Sequence, residues 1–309
     1  MKPNAFGHKV NETPVRQGCV IMNQRHRHQL LGNPRKLMGQ IESRLDRDGI
    51  AEVWARADDH HIRGSAVLFL LTQQCVAPGR KPELCLLLTK RSDRVMQPGD
   101  LCCPGGGIAP GDRILSGFMP LPLIPWRKWV QWLRWRARHG AAGRRVMQVW
   151  TAGLRESWEE MHLNPFKVSL IGPLPVQQLI LFRRLIFPLV AWVPACPRLR
   201  PNREVARIVC VPLRCLLDTG NFGRLRLTVK SGQTEIGRRD EFPCFIHHGR
   251  QGTEILWGAT FRITMDFLNI AFDFALPAMD KLPVVQGRRD AAYFSGSLWD
   301  SQTSRNSEH

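Results

Sequence analysis

Arg155-Glu156-Ser157-Trp158-Glu159-Glu160 sets a block of charge inside an otherwise apolar run, and the way that run folds decides what surrounds it. Wound as a helix at about 100° per residue, it puts Glu159 roughly 60° to one side of Glu156 and Glu160 about 40° to the other. Met147, Trp150, Leu154, Trp158 and Met161 gather opposite. Three carboxylates then share one face. Like charges at that spacing repel and raise one another's pKa values, so the helix gains nothing from them by itself. A hard divalent cation relieves the repulsion, and carboxylate oxygens suit Mg²⁺ or Mn²⁺, which keep several waters and engage substrate phosphates. The alternative for such a block is a solvated acidic face on which Arg155 pairs with Glu159 at i,i+4.

A glycine-rich turn stands far upstream at Pro104-Gly105-Gly106-Gly107-Ile108-Ala109-Pro110-Gly111-Asp112. Taken with the Arg155 to Glu160 helix, it resembles the box of the Nudix hydrolase family, G-x5-E-x7-R-E-U-x-E-E-x-G-U. Asp112 stands where the family has Glu, His162 stands where it has Gly, and Arg113 to Leu154 replace the x7 spacer. Such an insertion preserves a site when its two ends meet, and each doubling of loop length adds only about 0.6 kcal/mol to the closure cost. Leu87-Leu88-Thr89-Lys90-Arg91-Ser92, followed by Gly99 to Gly106, resembles the extra motif of the coenzyme A diphosphatase branch of that family. Cys102-Cys103 replaces the small and aromatic pair usual there, and the intervening loop is about one residue shorter. Glu204-Val205 with Val211-Pro212-Leu213 resembles a segment common in Nudix domains, and Trp257-Gly258-Ala259-Thr260 resembles the strand-to-helix junction of the coenzyme A branch.

The resemblance implies an α+β fold, a mixed β-sheet sandwiched between α-helices. It implies an enzyme in which metal-activated water attacks a phosphorus of a nucleoside diphosphate linkage. Carried over position by position, Glu156, Glu159 and Glu160 hold Mg²⁺ or Mn²⁺ with the Gly105 carbonyl, and Arg155 orients a glutamate. Lys90, Arg91 and Ser92 meet the substrate phosphates, for which the two cations offer charge-assisted hydrogen bonds. Coenzyme A or an acyl derivative is the expected substrate, giving 3′,5′-ADP and 4′-phosphopantetheine. Other dinucleotides such as NADH, ADP-ribose and diadenosine polyphosphates stand second, and a catalytically silent diphosphate- or membrane-binding module third.

The chain has 309 residues and a formal net charge of +18, which favours anionic partners without specifying a fold. No helix-turn-helix, zinc-finger or RNP-like pattern accompanies that charge, so specific nucleic-acid binding ranks last. Nine cysteines without a C-x-x-C pair argue against a disulfide framework or zinc site and for a reducing, cytoplasmic compartment. Cys102-Cys103, His60-His61 and His247-His248 read as packing and surface residues, because nothing nearby completes a ligand set. No secretory signal is visible, and no apolar run is long enough to span a bilayer.

Residues 1–28 read as a disordered basic leader and 29–61 as a helical extension, with one helix over Leu30 to Ile50 stopped at Gly49. The hydrolase domain is expected over 62–275, with strands at Ala66 to Leu71 and Glu83 to Thr89 as neighbours, and further strands from Val168 to Val193. Inside it, 113–147 form a basic, tryptophan-rich insertion. Trp126 to Arg138 is helix-compatible, with tryptophans largely opposite Arg127, Lys128, Arg134 and Arg138. That arrangement suits either a lid or peripheral contact with anionic membrane. Gly140 to Gly143 are expected as a flexible return, Phe261 to Phe272 as an apolar helix, and 276–309 as a flexible tail.

Overall fold

The computed structural model describes residues 24–45, 48–56, 63–74, 81–118, 137, 139–179, 184–194, 198–231, 234–290 and 293. Residues 1–23, the pair His60-His61, most of the tryptophan-rich insertion (119–136 and 138) and the last residues from Phe294 lie outside the described residues.

The periodicity over Leu30 to Ile50 resolves into three helices rather than one: α1 (Gln24–Leu31), α2 (Pro34–Leu45) and α3 (Asp48–Arg56). Pro34 has no N–H to donate and fits only the first turn, while the Asn33 side chain accepts from the Lys36 N–H at 3.1 Å, so the chain stops and restarts there. Gly49 lies inside α3 instead of ending a helix. The helix α1 also reaches into the expected leader, where the Arg27 guanidinium donates to the carbonyls of Phe272 and Asp273. Trp54 of α3 is fully buried and donates its indole N–H to the Leu174 carbonyl at 2.8 Å.

The main sheet comprises β1 (Arg63–Gln74), β2 (Glu83–Arg91), β3 (Leu101–Cys102), β4 (Gly105–Gly107), β5 (Ser169–Pro173), β6 (Gln177–Leu179), β7 (Arg184–Val193) and β8 (Val205–Pro212). Its central order is β3-β2-β1-β7-β5, with β4 on β1, β6 on β7 and β8 on β2. Strands β1 and β7 run parallel and the other pairings are antiparallel, so the sheet is mixed. The expected neighbours β1 and β2 do pair, in the register Leu70 to Leu87.

Among the described residues the later helices are α4 (Pro110–Phe118), α5 (Gly140–Met161), α6 (Leu213–Leu216) and α7 (Gly258–Phe272). Successive side chains of a strand point to opposite faces, and β1 uses both. Leu68 packs where Gly153 of α5 comes close, so near that a Cβ on Gly153 would sit 2.7 Å from Leu68 Cδ2. Phe69 packs on Phe267 of α7 with ring centroids 4.5 Å apart. Helices therefore cover both faces, which explains why Leu68 to Leu71 are an unbroken buried run.

A second sheet, β11-β10-β9-β12, was not anticipated. It is built from β9 (Phe222–Ser231), β10 (Thr234–Gly249), β11 (Gly252–Leu256) and β12 (Val284–Asp290). Strand β12 runs parallel to β9 inside the stretch expected as a flexible tail.

Candidate functional site

Helix α5 carries the charged block and begins at Gly140, so Gly140 to Gly143 form its first turn rather than a flexible return. Its buried face runs through Val146, Val149, Trp150, Gly153, Leu154, Ser157 and Met161. That face is rotated toward Gly153 from the one the sequence suggests. Trp158 consequently falls at its margin, half exposed, and its ring meets His162 at 5.7 Å instead of entering the core. The same rotation brings Glu156 and Glu160 to the edge of the buried face and leaves Glu159 on the exposed side. The helix ends at His162, whose φ of 54° is left-handed, a conformation that glycine adopts without strain and other residues rarely do. The His162 ring Nδ1 meets the Arg200 carbonyl at 3.0 Å and so fastens this unfavourable turn to the following loop.

Beneath the helix, Gly105 and Gly106 run alongside β1 as its antiparallel neighbour β4. At Gly105 φ is 144° and a Cβ would lie 2.1 Å from the Ala66 carbonyl oxygen; at Gly106 a Cβ would lie 2.4 Å from the Glu156 carboxylate. Only glycine permits either approach. The Gly105 N–H donates to Glu160 Oε2 at 3.2 Å, which ties the loop to the helix.

Arg155 joins the two ends of the insertion. Its Nε donates to Asp112 Oδ1 at 2.9 Å and its Nη2 to Asp112 Oδ2 at 3.1 Å and to the Gly107 carbonyl at 3.0 Å. Its Nη1 lies 3.0 Å from Glu156 Oε1 and 3.2 Å from Glu159 Oε2. Asp112 is buried and also accepts the Ala109 N–H at 2.7 Å, capping α4 just before Pro110. The aspartate thus both caps α4 and anchors Arg155, and the hydrogen bond to Asp112 is the main reason the guanidinium is held even more firmly protonated than usual.

Glu160 is pushed up to about 7, chiefly by burial, with the Glu156 and Glu204 charges adding to the effect and the Gly105 N–H and Arg91 opposing it. Burial likewise raises Glu156, against the pull of Arg155. Two half-buried carboxylates thus bracket a glycine backbone, and oxygen-only donors of that kind fit a hard divalent cation in chemistry. Glu156, Glu160 and the Gly105 carbonyl would hold it. Glu159 is drawn toward Arg155, and among the described residues no three His, Cys, Asp or Glu side chains converge on one point.

The three residues expected at the phosphates have separate situations. Lys90 is engaged by Glu254, with Nζ to Oε distances of 3.1 Å, and Arg207 contacts the same buried carboxylate. Ser92 is buried and donates to the Arg203 carbonyl at 2.8 Å. Arg91 donates its Nε to the Met96 carbonyl at 2.6 Å and lies within electrostatic reach of Glu160. Together with Arg94 and Arg203 it lines an open cleft of about 750 Å³ between the 92–99 loop and the start of β8. Arg94 and Arg203 were not singled out in the sequence, where they are two arginines among many. Cys102 and Cys103 behave as packing residues, since burial pushes both thiols up, away from the reactive thiolate.

No protein-family profile matches the chain, and no curated protein matches it. Among solved structures it is similar to a Nudix hydrolase from M. smegmatis, RenU, at 16% identity and a TM-score of 0.31, over 48% of this chain and 70% of that one. It is also similar to a C. elegans Ap4A hydrolase at 13% identity and 0.31, over 48% and 80% of the two chains. A Nudix hydrolase from Alicyclobacillus acidocaldarius gives 14% and 0.31, over 50% and 81%.

The glycine pair yields a contrast that can be measured. In Gly105→Ala the new methyl group meets backbone at a left-handed position, so the variant is expected to lose about 3 kcal/mol or more in denaturant unfolding. In Gly106→Ala it meets only the movable end of Glu156, so stability should fall by about 1 kcal/mol while the carboxylate is displaced. Equal destabilisation by both would contradict this arrangement of loop and helix.

Proposed function

We propose that the protein is a metal-dependent hydrolase of the Nudix type that cleaves a nucleoside diphosphate linkage. The supporting observation is the juxtaposition of Glu156 and Glu160 around Gly105 with a basic cleft, Arg91 lying within reach of both features. A divalent cation bound there supplies charge neutralisation at the phosphoryl oxygens and a more acidic water. Arg155 holds Glu156 and Glu159 in place, Gly105 orients Glu160, and Arg91, Arg94 and Arg203 receive the substrate's phosphates. Turnover of coenzyme A, NADH, ADP-ribose and diadenosine polyphosphates with Mg²⁺ or Mn²⁺ tests the reading. Cleavage of none of them with either metal overturns it.

Coenzyme A is the preferred substrate in this proposal, on the resemblance at Leu87 to Ser92 and Trp257 to Thr260. A cleft that reads the 3′-phosphate should favour coenzyme A over its dephospho form by about 1.5–3 kcal/mol, the value of one charge-assisted contact. Equal kcat/KM for the two compounds would point instead to a general dinucleotide hydrolase.

Peripheral contact with anionic membrane, with the rest of the chain cytoplasmic, is the second part of the proposal. Ile114 and Leu115 are exposed on α4, which leads directly into the tryptophan-rich insertion. The parent should sediment with anionic vesicles at low salt and release as salt rises, each basic residue contributing about 1 kcal/mol. Substituting Trp126, Trp129 and Trp132 by alanine should abolish the binding. A parent that stays in solution with such vesicles would leave the insertion as a lid.

A further inference from the structure

The wall of the basic cleft is held from behind by the unanticipated second sheet and its flanks. Residues 92–99 form a closed loop: the Gly99 N–H donates to the Arg91 carbonyl at 3.0 Å and the Arg91 N–H to the Asp100 carbonyl at 2.9 Å. Asp100 therefore stands at the root of the wall. One of its carboxylate oxygens accepts the Trp257 indole N–H at 3.2 Å, and the other accepts the hydroxyl of Tyr293. Tyr293 is the only tyrosine of the chain and is buried, its ring stacked on Trp257 with centroids 6.5 Å apart. Trp257 in turn packs on Phe242 of β10 at 5.6 Å. Beside it, Glu254 of β11 grips Lys90, the residue before Arg91.

We propose that Tyr293 is a positioning residue, whose hydroxyl fixes Asp100 and so sets the shape of the cleft wall that carries Arg91 and Arg94. The last described residue of the chain then tunes how well a phosphorylated ligand is held, without touching the ligand. This rests on the anion-binding reading of the cleft given above. Because Tyr293 acts through Asp100 and does not touch the ligand, a loss of affinity of about three- to tenfold, the scale of one ordinary net hydrogen bond, is expected.

Tyr293→Phe keeps the ring on Trp257 and removes only the hydroxyl. Binding of pyrophosphate and of ADP, measured by calorimetry, should weaken by about three- to tenfold. Amide hydrogen exchange across 92–99 should accelerate by a similar factor, with Tm and kcat nearly unchanged. Asp100→Asn should act alike, and the double variant should be no worse than the more affected single one. Unaltered exchange in Tyr293→Phe overturns the proposal, as does faster exchange with unaltered affinity. A parent that binds neither pyrophosphate nor ADP overturns the anion reading of the cleft and the ligand role with it, while the exchange comparison still decides whether Tyr293 holds the loop.

Discussion

Glu160→Gln is expected to stabilise the metal-free protein at pH 8 while slowing hydrolysis by at least about a hundredfold, since loss of even a supporting group around a metal costs up to that much. The two effects have one cause. Burial raises the folded-state pKa of Glu160 to about 7, against an ordinary value of 4.5. Below the ordinary value both folded and unfolded chains keep the proton and no penalty exists. As pH rises from there toward 7, the unfolded chain releases the proton first, so stability falls, by about 3 kcal/mol at most once both have ionised. Glutamine removes that penalty and can still accept the Gly105 N–H with its amide oxygen. Thermal unfolding of the metal-free parent should therefore show a decline across this pH window that the variant lacks. Added Mg²⁺ should restore the parent, by about 2.7 kcal/mol at a concentration of 100 Kd, and leave the variant little changed. Identical pH slopes for the two proteins would mean that Glu160 is not the strained carboxylate of the site.

The central strands and the charged helix were legible because their signals are local. A continuous buried run such as Leu68 to Leu71 needs helices on both faces, and the Arg155 to Glu160 block can share a face only on a helix. The rotation of α5 was not legible, because Trp158 is as apolar as any core residue and only packing against β1 decides which side of the helix is inside. The break at Asn33-Pro34 is a local cap, set inside a stretch whose apolar spacing runs on through it and so points to one longer helix. The second sheet carried its own signal, Leu225 and Leu227 alternating with Arg224 and Arg226, both of which pair with Glu241. On α5, helical spacing alone puts Glu156 and Glu160 side by side, and the structure does the same. The company of Lys90 with Glu254 and of Asp100 with Tyr293 was not legible, since those partners lie 164 and 193 residues apart in the chain.

Asp112→Ala is expected to destabilise the fold by about 3 kcal/mol and to reduce hydrolysis as well, because one buried carboxylate fastens both ends of a long insertion. Three donors lose their acceptor together: the Ala109 N–H at the start of α4, and Arg155 Nε and Nη2 on α5. The cost is that of groups left unpaired in a buried place, and it exceeds the worth of any one bond. Freed from Asp112, the guanidinium keeps only the Gly107 carbonyl and the two glutamates, so Glu156 and Glu159 lose the fixed point that orients them. Asp112→Asn preserves volume and one acceptor, and should fall between parent and alanine variant in both stability and turnover. Asp112→Glu supplies the residue found at this place in the pattern that the sequence resembles, yet the site is already closed around the shorter side chain, which is 1% exposed. The extra methylene should therefore cost about 1–3 kcal/mol rather than stabilise the protein. Urea unfolding of the three variants beside their kcat values decides the matter. If Asp112→Ala loses under 1 kcal/mol, or if Asp112→Glu is the more stable and more active protein, then the two ends of the insertion are held together by something other than this pair.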